Sequence, residues 1–143
     1  MADTIERRTL SLQGAQRVLE AAIGEATRGG LHVSVAVLGS EGQLKAFAAM
    51  DGASILSTET ARKKALTVIK VGIGTKAFAT DLNAEMADEP ELFHGMLAMD
   101  GITAIGGGVP IKVGGLTVGA VAVSGASSAE DEEIAHKAAA VLG

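Results

Sequence analysis

The 143-residue sequence has no cysteine, tryptophan or tyrosine, and only three phenylalanines and two prolines. The lack of cysteine excludes disulfides, a thiolate nucleophile and cysteine metal ligands. With 48% hydrophobic residues but 2% aromatic ones, the core must be built from Ala, Val, Leu, Ile and Met in thin layers. Positive charge is also scarce. Twelve Lys and Arg face 17 Asp and Glu, for a net charge of −5, and the one basic cluster is Arg62-Lys63-Lys64. Nucleic-acid binding needs clustered cations and stacking aromatics, so no nucleic-acid partner is expected. No apolar run is long enough to span a bilayer, and "MADTIERRTLSL" has no apolar signal region. We expect no membrane association and a cytoplasmic location.

What is present has the punctuation of one small domain, residues 1–143. Ser11 is placed to cap a helix carrying Leu12, Ala15, Leu19, Ala22 and Ile23, stopped by Gly29-Gly30. "LHVSVAVL" (31–38) and "QLKAFAAM" (43–50) flank "GSEG" as a hairpin. A second helix is expected from about Ser54 or Ser57 to Val71, with Ala61, Ala65, Val68 and Ile69 on one face. Residues 72–89 carry no clear pattern. Pro90 suits the first turn of a short helix that presents Phe93, Met96 and Leu97 and ends at Asp100-Gly101. Short strands are expected near 102–105, 109–113 and 116–123, the last two joined by Gly114-Gly115. Ser127 and Glu130 form a capping-box pattern ahead of a final helix. These elements predict an α/β (α+β) chain: an antiparallel five-stranded sheet flanked by helices.

The glycine-rich run "GGGVPIKVGGLTVGAVAVSG" (106–125) has Lys112 as its only charge. Its β-branched residues mark strands rather than a linker. Tight turns and close strand contact account for Gly114, Gly115 and Gly119. They account less well for Gly106, Gly107 and Gly108, whose bare amides before Pro110 suit an anion or a ligand. The run is neither a Walker loop nor a dinucleotide fingerprint. Few charges and long apolar stretches over 101–125 also suggest a surface covered by a second copy of the chain.

The stretches "LSLQGAQRVLEAA", "VSVAVLGSEGQLKAFAAMDGA", "ARKKALTV" and "GGGVPIKVGGLTVGAVAVSGASSAEDEEIA" together resemble the GlcG/HbpS-like family, which includes PduO C-terminal domains. The likeness spans residues 10 to 136. It implies a profilin-like fold, a symmetric homo-oligomer (often an octamer), and a haem-binding or haem-degrading role in some members. Others belong to small-acid catabolism. Asp51, Lys64, Pro110, Ser124, Asp131 and Glu132 stand where the family pattern has them. Gly39 and Ala49 depart from it, replacing Asp and Arg respectively. The lost Arg removes a fork-shaped partner for an anionic ligand group.

Three histidines are available as axial haem ligands. His32 reads as a strand-end surface residue and His136 as a solvated helix residue. His94, in "ELFHGM", is the candidate axial ligand or proton-transfer group, against the alternative of a packed histidine. Met50, Met86, Met96 and Met99 suit gap filling in a core poor in aromatics more than a haem pocket. Asp51 is either a turn residue or a pocket carboxylate. Lys64 is either part of a solvated basic triplet or a cleft cation, held there by its family position and its neighbours Ala61 and Ala65. Glu130 and Glu133 are explained by helix capping, and no metal site is expected.

Two functions follow. In the first, the chain binds a small ligand, with haem or another tetrapyrrole leading, through His94, Lys64, Gly106, Gly107, Gly108 and Pro110. In the second, it is a cofactor-independent isomerase, lyase or hydrolase acting on a small carboxylated metabolite. Asp51, Lys64 and His94 would then be the acid–base groups, and the glycine amides the oxyanion donors. An accessory subunit without a pocket is a third alternative. The sequence leaves the choice open.

Overall fold

A computed structural model describes residues 2–85 and 88–143. The elements are α1 (Leu12–Arg28), β1 (Ser34–Gly39), β2 (Leu44–Ala49), α2 (Ile55–Val71), α3 (Thr75–Glu85), α4 (Pro90–Ala98), β3 (Gly108–Val113), β4 (Leu116–Ser124) and α5 (Ser128–Ala139). Local chemistry sets most of the boundaries. The hydroxyls of Ser11, Ser54 and Ser127 each accept an N–H from the first turn of the following helix. Glu130 completes a capping box by accepting the Ser127 N–H. Gly72 ends α2 in the left-handed region, where the absence of Cβ removes the steric cost.

The four strands form an antiparallel sheet in the order β2-β1-β4-β3. The inner strands β1 and β4 are covered on both faces, so nearly all their residues are apolar and buried. Side-chain alternation divides them between two cores. Val35, Val37, Val121 and Val123 face α1 and α5 and meet Ala15, Val18, Ala22, Ile134 and Ala138. Ala36, Leu38 and Ala122 face the opposite side and meet Ala61 and Ala65 of α2. Each buried valine contributes about 1.5 kcal/mol or more. The alanines contribute less individually, but they let the helices lie close to the sheet. A third cluster joins Phe78 and Leu82 of α3 to Ile102, with Phe93, Met96 and Leu97 of α4 packed against it.

The expected fifth strand does not form among the described residues. Residues 102–105 run irregularly because side chains take their backbone donors. The Thr103 N–H donates to Thr67 Oγ1 at 2.9 Å, and the Ile105 N–H to Thr103 Oγ1 at 3.3 Å. The unpatterned segment 72–89 contains α3, anchored chiefly by Phe78 and Leu82 one turn apart. Met86 lies outside the described residues. Pro110 sits in the edge strand β3, where a missing N–H is tolerated. Gly114 and Gly115 form the tight turn to β4 at φ 59° and 79°, as a two-residue hairpin demands. Within the apolar run 101–125, most of β4 is buried inside its own chain, while Ile105 and Leu116 remain more than half exposed.

Candidate functional site

Lys64 lies on the face of α2 that packs against the sheet, and it is only 1% exposed. Its Nζ donates to the Val123 carbonyl at 2.8 Å and to Asp131 Oδ2 at 3.2 Å. Asp131, in the first turn of α5, is 2% exposed and accepts the Ala126 N–H through Oδ1 at 3.1 Å. Burial pushes the Lys64 ammonium below its ordinary value, and the Asp131 charge opposes that shift. Burial likewise pushes the Asp131 carboxyl up, against the Lys64 charge and the Ala126 N–H. The two shifts bring the proton affinities of amine and carboxyl toward each other.

The glycine segment wraps over this pair. Gly107 has φ 130°, and a Cβ there would lie 2.6 Å from the Val123 oxygen and 2.7 Å from Lys64 Nζ. Only glycine allows that approach. The Gly107 N–H donates to Glu132 Oε2 at 2.8 Å, and the Gly108 N–H to Thr75 Oγ1 at 3.0 Å. Those amides therefore have partners inside the chain and do not form an open anion cradle. Glu132 Oε1 also lies 3.2 Å from His136 Nε2. Pro110, Glu132 and His136 line a surface groove of about 320 Å³ with Gly74, Ala77 and Thr80.

Of the three residues considered as an acid–base set, only Lys64 lines any of the grooves described. Asp51 is exposed in the turn after β2, where the Ala53 N–H reaches the Met50 oxygen at 2.9 Å. His94 is exposed on α4, its ring edge-on to Phe93 with centroids 5.4 Å apart. Lys64 lines a separate groove of about 250 Å³ with Ser57, Thr60, Ser124, Ser128 and Asp131. Asp131 and Glu132 match the family pattern, but the sequence alone assigns neither of them to the site. Helix capping already accounted for the acidic run, although a lysine between buried alanines needs a counter-charge.

A second surface feature lies at α4. This helix is rich in apolar side chains, yet none of its residues is fully buried. Beside it a groove of about 390 Å³ runs between α2 and α4, lined by Leu66 and Leu97, the cations Arg62 and Lys63, the acids Glu59 and Asp100, and Met99. Met99 is 57% exposed, whereas Met50 and Met96 pack against apolar clusters. His94 precedes Leu97 and Ala98 by one helical turn and so projects from the same side of α4.

The two departures from the family pattern have local settings. A Cβ at Gly39 would lie 2.6 Å from Thr9 Oγ1, which accepts the Ser40 N–H at 3.0 Å. Thr9 therefore occupies the space that a side chain at 39 would need. Ala49 is exposed at the end of the edge strand β2.

A four-stranded antiparallel sheet held between α1 and α5 on one face and α2 on the other defines a class of small α+β domain. A family model described as "Haem degrading protein HbpS-like" matches residues 10–140, and the chain belongs to that family. HbpS of Streptomyces reticuli, solved as a double mutant, is 32% identical with a TM-score of 0.86, over 100% of this chain and 93% of its own. A further HbpS crystal structure is 33% identical over 99% of this chain and 95% of its own, also at a TM-score of 0.86. A PduOC–haem complex shares the fold at 24% identity and a TM-score of 0.80, over 94% of this chain and 96% of its own. A comparison with curated proteins finds no match.

Proposed function

We propose that this protein binds haem or another tetrapyrrole in the groove between α2 and α4, with His94 as axial ligand. The observation that carries the reading is an accessible imidazole on an apolar helix with no fully buried residue, one turn before a groove that holds Leu66, Leu97, Arg62 and Lys63 beside Glu59 and Asp100. A haem site offers apolar contact to the macrocycle and a side-chain donor to the iron, and nearby cations suit the propionate carboxylates. Leu66 and Leu97 would meet the ring, Arg62 and Lys63 the propionates, and Met99 offers a thioether at the rim. Membership of the HbpS-like family and the likeness to a haem-bound PduOC structure support the same ligand. Haem would contribute iron redox chemistry, while the chain holds and orients it.

In this reading Lys64, Gly107 and Gly108 act inside the fold rather than on haem. The groove is open on one side, so a second copy of the chain laid over α4 would enclose the ligand. A homo-oligomer, with the family's octamer as the expected form, fits that arrangement and is tested by light scattering. Haemin titration followed by absorbance tests the binding itself. A saturable Soret shift at a stoichiometry of about one haem per chain is expected by this axial-ligand geometry. The absence of a saturable shift would overturn the reading.

A further inference from the structure

The buried amine of Lys64 is not needed by the haem reading, and its surroundings suit a different chemistry. Its Nζ has two acceptors, the Val123 carbonyl and Asp131 Oδ2. A neutral primary amine has two N–H donors and a lone pair, whereas an ammonium has three donors. Two acceptors therefore satisfy the neutral amine and leave its lone pair unengaged. A third acceptor is not found among the described residues.

Lys64 also lines the groove of about 250 Å³ between the N-terminal ends of α2 and α5. Ser57, Thr60, Ser124 and Ser128 line it as well; the Ser57 hydroxyl bonds Ser34 Oγ and the Ser54 carbonyl, and the Thr60 hydroxyl donates to the Leu56 carbonyl. The Ser57 and Glu130 amides are taken by the capping serines, but each helix has earlier first-turn amides with no intrahelical partner. Two helix starts beside one groove favour a negative group there. At the mouth, Leu56 is 72% exposed and Ile105 52% exposed. Polar walls below apolar lips are the expected shape for a short organic acid.

We propose that Lys64 is a nucleophilic amine that condenses with a small oxo acid bound in this groove. The Lys64 lone pair attacks the carbonyl carbon, and the carbonyl π electrons move to oxygen, which takes the first of the nitrogen's two protons by way of Asp131 to give a carbinolamine. Nitrogen then gives up a proton and the hydroxyl leaves with one as water, forming the imine. Asp131, bonded to Nζ, accepts the proton from nitrogen and returns it to the departing oxygen. The oxo acid's carboxylate lies toward the starts of α2 and α5. A ligand of three or four carbons suits the volume. Burial, which favours the uncharged amine, acts in the same direction.

Lys63 provides an internal control, because it is exposed and adjacent in sequence. The wild-type protein is incubated with pyruvate and sodium cyanoborohydride near neutral pH, and the carboxyethyl-lysine adducts are mapped by peptide fragmentation. Burial lowers Lys64 and so raises its free-amine fraction at a given pH, and Lys64 should therefore be labelled faster than Lys63. Asp131→Asn should slow labelling at Lys64 and leave Lys63 unchanged. Equal or faster labelling of Lys63, or no adduct on Lys64, would overturn the proposal. The wild-type comparison decides the matter even if Asp131→Asn fails to fold.

Discussion

Lys64 Nζ lies 3.2 Å from Asp131 Oδ2, joining α2 to α5 beneath the glycine segment that leads into β3. Both side chains are almost wholly withdrawn from water. Withdrawing two ionisable groups from water is costly, and their mutual attraction and hydrogen bonds offset that cost only while both partners are present. The pair therefore acts as a conditional tie between helices that approach the sheet from opposite faces.

Breaking the tie on one side should be worse than removing it. Lys64→Met or Asp131→Asn alone should each lower the unfolding free energy by about 3–5 kcal/mol, because the partner is left buried and unpaired. The double variant Lys64→Met/Asp131→Leu should recover most of that loss. Urea denaturation of the three variants checks the pattern. Additive losses in the double variant would contradict it.

The same pair sets a pH dependence. Burial holds the Asp131 carboxyl above its ordinary value, so the folded state binds this proton more tightly than the unfolded chain does. Its contribution to stability is full below the unfolded value and is lost as pH rises through the raised, folded value. The stability of wild type minus that of Asp131→Asn should therefore fall as pH rises from about 4. For Lys64 the sign reverses. Its contribution is full above the ordinary ammonium value and is lost as pH falls through the lowered one. Denaturation midpoints measured across pH on the wild type and both single variants test the two signs.

Position 39 offers a test of spatial coupling. Gly39→Asp restores the family's residue but places a Cβ against Thr9 Oγ1. It should destabilise by about 1–3 kcal/mol, the usual range for overpacking. Adding Thr9→Ala removes the obstructing oxygen, and the double variant should lose less than the sum of the single changes. A double-mutant cycle reads the coupling directly, and strict additivity would show that the contact is unimportant.

The last helix gives a local prediction. Ser127 Oγ accepts the Glu130 N–H at 3.1 Å, and Glu130 accepts the Ser127 N–H in return. Ser127→Ala should cost about 1 kcal/mol, measured by thermal or urea unfolding.

The parts of the fold that were legible in the sequence are those specified by short-range chemistry. Serine caps, glycine stops and the Gly114-Gly115 turn placed α1, α2, α5 and the β3–β4 hairpin within a residue or two. Long-range partners were less visible. The irregular path of 102–105 depends on Thr67, more than thirty residues earlier in the chain. Helix α3 is held mainly by Phe78 and Leu82, too few apolar residues to show a period. At the site, Lys64 and Asp131 both match the family pattern, but their pairing is not legible, because they lie 67 residues apart and capping already explains the acidic run. The glycines at 107 and 108 were read as exposed amides, whereas their donors are used by Glu132 and Thr75.

The central functional claim is that the ligand sits at α4, away from the Lys64 pair. Haemin titration of wild type, His94→Ala and the doubly neutral Lys64→Met/Asp131→Leu variant, each followed by its Soret band, tests it most directly. The account predicts a saturable shift in wild type, its loss in His94→Ala, and its retention in the double variant. Unchanged binding in His94→Ala, with loss in the double variant, would place haem at the buried pair and contradict the account.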